Sequence, residues 1–210
     1  MSANEATIIP IVGASGSGKS WRIKQRLAKD KPRRLVVWDW KSEYDGGQVV
    51  TCPAALAAAM RKAGKGGAAR LIYRPVKSSD AEIERQFSAV CALVSAWGNC
   101  WFIVEELSNV TRASYAPIKW RNICTEGRHS ALVVIATTQS PALCDKTFLT
   151  NATIVYCGSL GWPSHRKVMA NCMDVKEAQI TELAPLQWLC RGRGQAAFRD
   201  DLKVPKKRVV

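Results

Sequence analysis

No apolar run in this sequence approaches the roughly 18 residues that a membrane-crossing helix needs, which argues against an integral helical membrane protein. The opening from Met1 to Thr7 is polar and acidic, so no secretory signal peptide is expected. Paired cysteines are missing as well. The eight cysteines are scattered singly with no C-x-x-C, and several sit in apolar stretches such as "FSAVCALV" and "TIVYCG". They read as small buried hydrophobes of a reducing compartment rather than a disulfide scaffold. His129 and His165 are too few and too far from cysteines to suggest a zinc site, so no structural metal is expected. Internal repeats, low-complexity tracts and an evident linker are also lacking. Acid is in short supply: 17 Asp and Glu stand against 31 Lys and Arg, a net charge of +14. Such an excess suits a polyanionic partner, of which nucleic acid is the commonest, although a generally basic surface would give the same sum.

What is present is an ordinary globular composition, 47% hydrophobic and 23% charged, in 210 residues, a length that one core can serve. Apolar runs of strand length occur at 6–13, 33–40, 70–75, 101–107, 131–139 and 152–158. Pro10 sits awkwardly in the first, since proline cannot donate to a ladder. Helical stretches alternate with these runs. "PAALAAAMRKAG" at 53–64 opens on Pro53 and closes on Gly64. Ile83, Phe87, Val90, Val94 and Trp97 fall at helical spacing, and the segments around 116–128, "HRKVMANCM" and "VKEAQITEL" also read as helices. The expectation is an α/β layer fold with a mainly parallel central sheet flanked by helices. A short C-terminal β hairpin turns around Gly192 and Gly194. The core is expected over 1–189, with 190–210 a hairpin and basic tail rather than a separate domain.

The most specific motif follows the first strand. Gly13, Ala14, Ser15, Gly16, Ser17, Gly18, Lys19 and Ser20 match G-x-x-x-x-G-K-[ST] between an apolar strand and a helix. Glycines let backbone N–H groups curl around phosphate oxygens, and the helix N-terminus adds a favourable dipole. Lys19 can reach the β- and γ-phosphates, and the Ser20 hydroxyl can ligate Mg²⁺. ATP and Mg²⁺ are therefore the expected ligands.

A hydrolytic site also needs carboxylates, and "WFIVEEL" ends in two. Ligand sites of open α/β sheets lie at the carboxyl ends of strands, so Glu105 and Glu106 are placed near the phosphate loop. Glu105 would hold the metal through water, and Glu106 would deprotonate the attacking water. Gln139, at the end of "LVVIATTQ", could sense the γ-phosphate or hold that water. An arginine could neutralise developing charge. Arg128 in "TEGRHS" is the first candidate, with Arg121 and Arg112 as rivals.

With these elements in order, the chain resembles the FtsK/HerA superfamily of DNA-translocating P-loop ATPases over roughly residues 7–160. "VVWDWKSEYDG", with Asp39, Glu43 and Tyr44, looks like the family's second strand and turn. "FIVEEL" is similar to the double-Glu Walker B of the HerA branch, and "EGRHSALVVIATTQSPA" to the family's Gly-Arg, strand and Gln-Ser-Pro stretch. The resemblance implies a RecA-like core, a homo-hexameric ring, ATP bound between subunits and Arg128 acting in trans. So short a core looks most like the genome-packaging ATPases of internal-membrane phages. That implies double-stranded DNA as a sequence-independent partner and capsid or portal-vertex proteins as further partners. The implied location is the host cytoplasm or a packaging vertex of the virion. "GSLGWPSHR" has no counterpart in the resemblance.

Basic residues cluster at 22–34, at 61–77 and after Leu189, and could line a channel without reading bases. The glycine-rich loop "RKAGKGGAAR" is the first choice for DNA contact. The eight tryptophans fit core packing better than base stacking. Three other readings stay open: a HerA-like translocase in DNA processing or transfer, a Zot-like phage assembly ATPase acting mainly as a nucleotide switch, and a small-molecule kinase. The paired glutamates and Gln139 disfavour the last.

Overall fold

The structure, a computed structural model, describes residues 7–203 apart from Lys65, Lys77 and the Arg128 side chain. The end of the expected basic tail, two lysines of the 61–77 cluster and the expected arginine head group thus lie outside the described residues.

Strand β1 (Thr7–Val12) leads through the glycine loop into helix α1 (Lys19–Asp30) and strand β2 (Arg34–Trp38). An edge strand β3 (Gln48–Val50) follows, then α2 (Pro53–Ala63), β4 (Ala69–Tyr73) and α3 (Asp80–Trp97). Next come β5 (Trp101–Val104), α4 (Ile118–Glu126), β6 (Val133–Thr138), α5 (Lys146–Thr150) and β7 (Ile154–Gly158). The chain then forms α6 (Pro163–Met173), α7 (Glu177–Thr181) and a hairpin of β8 (Trp188–Gly192) and β9 (Phe198–Arg199). Among the described residues, nine strands join one sheet in the order β3-β4-β2-β5-β6-β1-β7-β8-β9. The strands from β3 to β7 pair in parallel, while β7–β8 and β8–β9 are antiparallel. The expected α/β fold of P-loop NTPases is therefore present. Its hairpin extends the central sheet, and β8 crosses the boundary expected after residue 189.

Side-chain alternation along β1 divides the interior in two. Ile8 and Val12 face the larger cluster, which gathers Leu56 of α2, Phe87 of α3, Trp120 of α4, Phe148 of α5 and Met173 of α6. Ile9 and Ile11 face a smaller cluster under Ile23 and Leu27 of α1. An aromatic run ties the larger side together. Trp38 stacks on Tyr73 at 5.3 Å and meets Phe87 at 5.1 Å. Trp120 continues it between Phe87 at 5.5 Å and Phe148 at 5.3 Å. Each such pair adds about 0.5–1.5 kcal/mol beyond its buried area. Packing thus accounts for most of the tryptophans, and Trp162 at 73% exposure is the exception.

Pro10 is accommodated by parity. Thr7 N–H and Gly13 N–H donate to Leu132 and Thr138 carbonyls on the β6 side, whereas Ile8 N–H donates to Thr153 Oγ1 on the other. Pro10 shares the parity of Ile8, and the β7 ladder begins only at Ile11 and Tyr156. Its missing donor falls where β7 has scarcely begun.

Part of the 22–34 basic cluster is spent internally. Arg22 lies over the rings of Tyr156 and Trp188, at 4.5 and 4.8 Å, and pairs with Asp200 at 2.7 Å. Arg34 lies 3.7 Å over Trp97. The end of α2 at Ala63 and the start of β4 at Ala69 lie by connectivity at the amino end of the sheet, opposite the phosphate loop.

Candidate active site

The carboxyl ends of β1, β6, β5 and β2, four neighbours in the sheet, bring the candidate residues together. At β1 the chain enters the glycine loop. Gly16 and Gly18 have φ of 73° and 95°, in the left-handed region that favours glycine. A Cβ on Gly13 would lie 2.6 Å from Ser17 Oγ, so the first turn of the loop has no room for a side chain. Helix α1 starts at Lys19 with no side-chain cap and no acid in its first turn. Its first N–H groups and positive dipole end are thus offered to an anion. The buried Ser17 hydroxyl, without a partner among the described residues, lies in the same cradle. Lys19 Nζ folds back to donate to the carbonyls of Gly13 at 2.8 Å and Ala14 at 2.9 Å. Burial pushes its pKa down, opposed by the nearby Glu106 charge.

Three later segments brace this loop. Ala14 N–H donates to the Ser159 carbonyl at 2.8 Å, which gives the "GSLGWPSHR" stretch a structural task. Arg166 fixes that stretch by donating to the Gly161 carbonyl at 2.6 Å. From the hairpin, Trp188 Nε1 donates to the Ser17 carbonyl at 3.1 Å, and a Cβ on Gly18 would meet Leu202 at 2.5 Å.

The strand expected through residue 107 stops at Val104. Glu106 adopts φ 49° and ψ 61°, a left-handed turn that ends the ladder and sends the two carboxylates to different partners. Glu106 Oε1 accepts from Gln139 Nε2 and from Lys41 Nζ, both at 2.8 Å, while its N–H donates to Thr137 Oγ1 at 3.2 Å. Burial pushes the Glu106 carboxyl up, but these hydrogen bonds and the charges of Lys41 and Lys19 outweigh it and hold it below the usual value. Glu106 is therefore held as a carboxylate by these partners.

Glu105 turns toward residues 39–43, where the Lys41 N–H approaches it at 3.4 Å. Burial, followed by the charges of Asp39 and Glu43, pushes its carboxyl up to about 7. Close by, the Ser20 hydroxyl donates to Glu43 Oε2 at 3.2 Å. Ser20, Glu43 and Glu105 offer only oxygen donors, and the charge of Glu43 acts on Glu105, a chemistry that would suit a hard divalent cation such as Mg²⁺. Asp39 is fully committed elsewhere, accepting from Glu43 N–H at 2.9 Å, Tyr44 N–H at 3.4 Å and Arg74 Nε at 3.0 Å.

Glu106 and Gln139 are thus joined directly, with Lys19, Ser20 and Glu105 around them. Arg128 stands in the turn after α4, its side chain outside the described residues. Of its rivals, Arg112 pairs with exposed Asp80 at 3.6 Å, and Arg121 lies on an exposed position of α4. Lys41, Arg74 and Trp188 were not anticipated as site residues. For Lys41 a signal was available: "WDWK" ends a buried strand as "VEE" and "TTQ" do, and the same strand-end rule applies to it.

The fold, with this glycine loop between β1 and α1, is that of the P-loop NTPases. No protein-family model matches the chain. Protein P9 of Pseudoalteromonas phage PM2 is 31% identical over 173 residues, which span 82% of this chain and 78% of P9. The chain belongs to the family of that phage protein. Among solved structures, it is similar to the genome packaging NTPase B204 of Sulfolobus turreted icosahedral virus 2 in complex with AMPPCP. The TM-score is 0.73 at 16% identity, covering 94% of this chain and 98% of that one. VirB4 of Thermoanaerobacter pseudethanolicus gives 0.70 at 12% identity, with 98% and 91% covered. The N-terminal domain of zonular occludens toxin from Neisseria meningitidis gives 0.52 at 17% identity, with 96% of each chain covered. The resemblance to the FtsK/HerA superfamily holds at the level of the fold.

Proposed function

We propose that this chain is an ATP- and Mg²⁺-dependent motor ATPase that moves double-stranded DNA, without regard to sequence, into a viral capsid. The observation that carries the catalytic half is Glu106, ionised and hydrogen-bonded to Gln139, beside the Lys19 phosphate loop. Lys19 and the first turn of α1 would hold the β- and γ-phosphates, and Ser20 with Glu105 would hold Mg²⁺, which would neutralise phosphate charge. Gln139 orients Glu106 and the attacking water. Glu106 takes the water proton as the oxygen bonds to the γ-phosphorus, and the bond to the bridging oxygen breaks, leaving its electron pair on ADP. Arg128 of a neighbouring subunit in a hexameric ring supplies charge to the transition state.

Membership in a phage protein family and likeness to a structure described as a genome packaging NTPase support the packaging half. So does the net charge of +14, as a sequence-blind grip on phosphates needs lysine and arginine rather than base contacts. The test is the ATP turnover rate with and without double-stranded DNA of unrelated sequences, alongside a mass measurement for ring formation. A motor shows stimulation by every duplex. Binding of ATP with negligible turnover under all conditions would identify a nucleotide switch instead. Mixing Arg128→Ala with Glu106→Gln subunits should restore some turnover if the arginine acts in trans, and restoration at no ratio contradicts a shared site.

A further inference from the structure

The turn after β2 reaches both chemical centres of the site. Asp39 is 1% exposed and anchors the turn through Arg74 and the N–H groups of Glu43 and Tyr44. Between the anchor points, Ser42 takes a left-handed φ of 59°, which separates the directions of its two neighbours. Lys41 turns to Glu106, the expected base. Glu43 turns to Ser20, the expected magnesium ligand. Both contacts engage groups that a bound triphosphate must also use.

The Lys41 contact is unequal in a telling way. Glu106 Oε1 receives two donors, Gln139 and Lys41, at the same 2.8 Å. Gln139 extends from the end of β6 and can position Glu106 without help. Lys41 adds a full charge that binds the carboxylate more tightly than positioning requires, on the same oxygen that Gln139 holds. Its side chain is 39% exposed against 8% for that of Glu106, so Lys41 is the member of the pair more open to solvent. It also lies close enough to Lys19 for its charge to act on that ammonium, as the charge of Glu106 acts on both. A terminal phosphate on the Lys19 loop brings about two negative charges into that field, against one on Glu106. A lysine ammonium on a four-carbon stem can exchange one partner for the other, which a packed guanidinium cannot do so freely.

We propose that Lys41 is a γ-phosphate-responsive positioning residue. Without a γ-phosphate it holds Glu106 in a charge-assisted hydrogen bond. A bound γ-phosphate draws it away, leaving Glu106 on Gln139 alone. After hydrolysis and phosphate release it returns to Glu106. The inference rests on the nucleotide-site reading above and adds to it the discrimination between ATP and ADP.

The test is equilibrium binding of ADP and of the slowly hydrolysed analogue ATPγS, with Mg²⁺. Four full-length proteins are compared: wild type, Lys41→Gln, Glu106→Gln and the double variant. Loss of one charge-assisted hydrogen bond to the γ-phosphate should weaken ATPγS by about tenfold or more in Lys41→Gln, with ADP changed less than about twofold. Glu106→Gln should tighten ATPγS, because Lys41 no longer has a competing carboxylate, and that gain should vanish in the double variant. Lys41→Arg, which keeps the charge, should recover part of the lost affinity. Equal losses for ADP and ATPγS, or an unchanged ATPγS affinity in Lys41→Gln, would overturn the proposal and leave the nucleotide site standing. A wild-type protein that binds neither nucleotide would instead overturn the site reading itself.

Discussion

Replacing Glu105 by glutamine should stabilise the nucleotide-free protein, increasingly so as pH rises. In the unfolded chain this carboxyl titrates near 4.5, and in the folded site burial, Asp39 and Glu43 push it up to about 7. The folded state therefore keeps a proton that the unfolded state releases, so stability falls as pH climbs between those values. A shift of this size costs about 3 kcal/mol once both states are ionised, and about 2 kcal/mol of that arises between about pH 5.5 and about pH 8. Glutamine keeps the shape and cannot ionise, so it removes the penalty. The assay is equilibrium urea unfolding of wild type and Glu105→Gln with EDTA across that range, read as the difference in unfolding free energy. Taking the difference cancels the titrations that both proteins share. The variant's advantage should grow with pH by about 2 kcal/mol. Parallel pH profiles would refute the reasoning, because they would mean that Glu105 ionises in the fold at no cost. In the proposed function the charge of Glu105 serves to hold a divalent cation, which would relieve the repulsion.

Two further changes probe the phosphate loop. Lys19→Ala removes the ammonium that donates to Gly13 and Ala14, and should abolish nucleotide binding measured by calorimetry while leaving the unfolding midpoint nearly unchanged. Trp188→Ala empties a fully buried site beneath the loop and deletes the bond to the Ser17 carbonyl. It should cost about 3–5 kcal/mol in urea unfolding. A loss below about 1 kcal/mol would show that the hairpin does not brace the loop.

Much of this arrangement was legible in the sequence because its signals are local. The glycine loop is set by eight consecutive residues between a strand and a helix. Ile83, Phe87, Val90 and Val94 show the buried face of α3 by spacing alone, and the continuous apolar runs around Phe102 and Val134 mark strands covered on both faces. Edge strand β3 was missed because Gln48 and Val49 are exposed and only Val50 is buried, so three residues carry no readable pattern. The turn at Glu106 was missed because a left-handed backbone at glutamate has no composition signal. The ion pair of Lys41 with Glu106 joins residues 65 apart in the chain and depends on β2 lying beside β5. Strand order is a tertiary fact that periodicity along one strand cannot carry. For the same reason Arg22 and Arg34 read as surface charge, although the fold lays them on aromatic rings.

The central claim is that these residues hydrolyse ATP with Glu106 as the base. Phosphate release by Glu106→Gln, measured beside its ATP affinity, tests it most directly. Turnover should fall by about a hundredfold or more while ATP still binds at least as tightly as to wild type. Turnover within about tenfold of wild type would contradict the assignment, because a positioned general base contributes more than that.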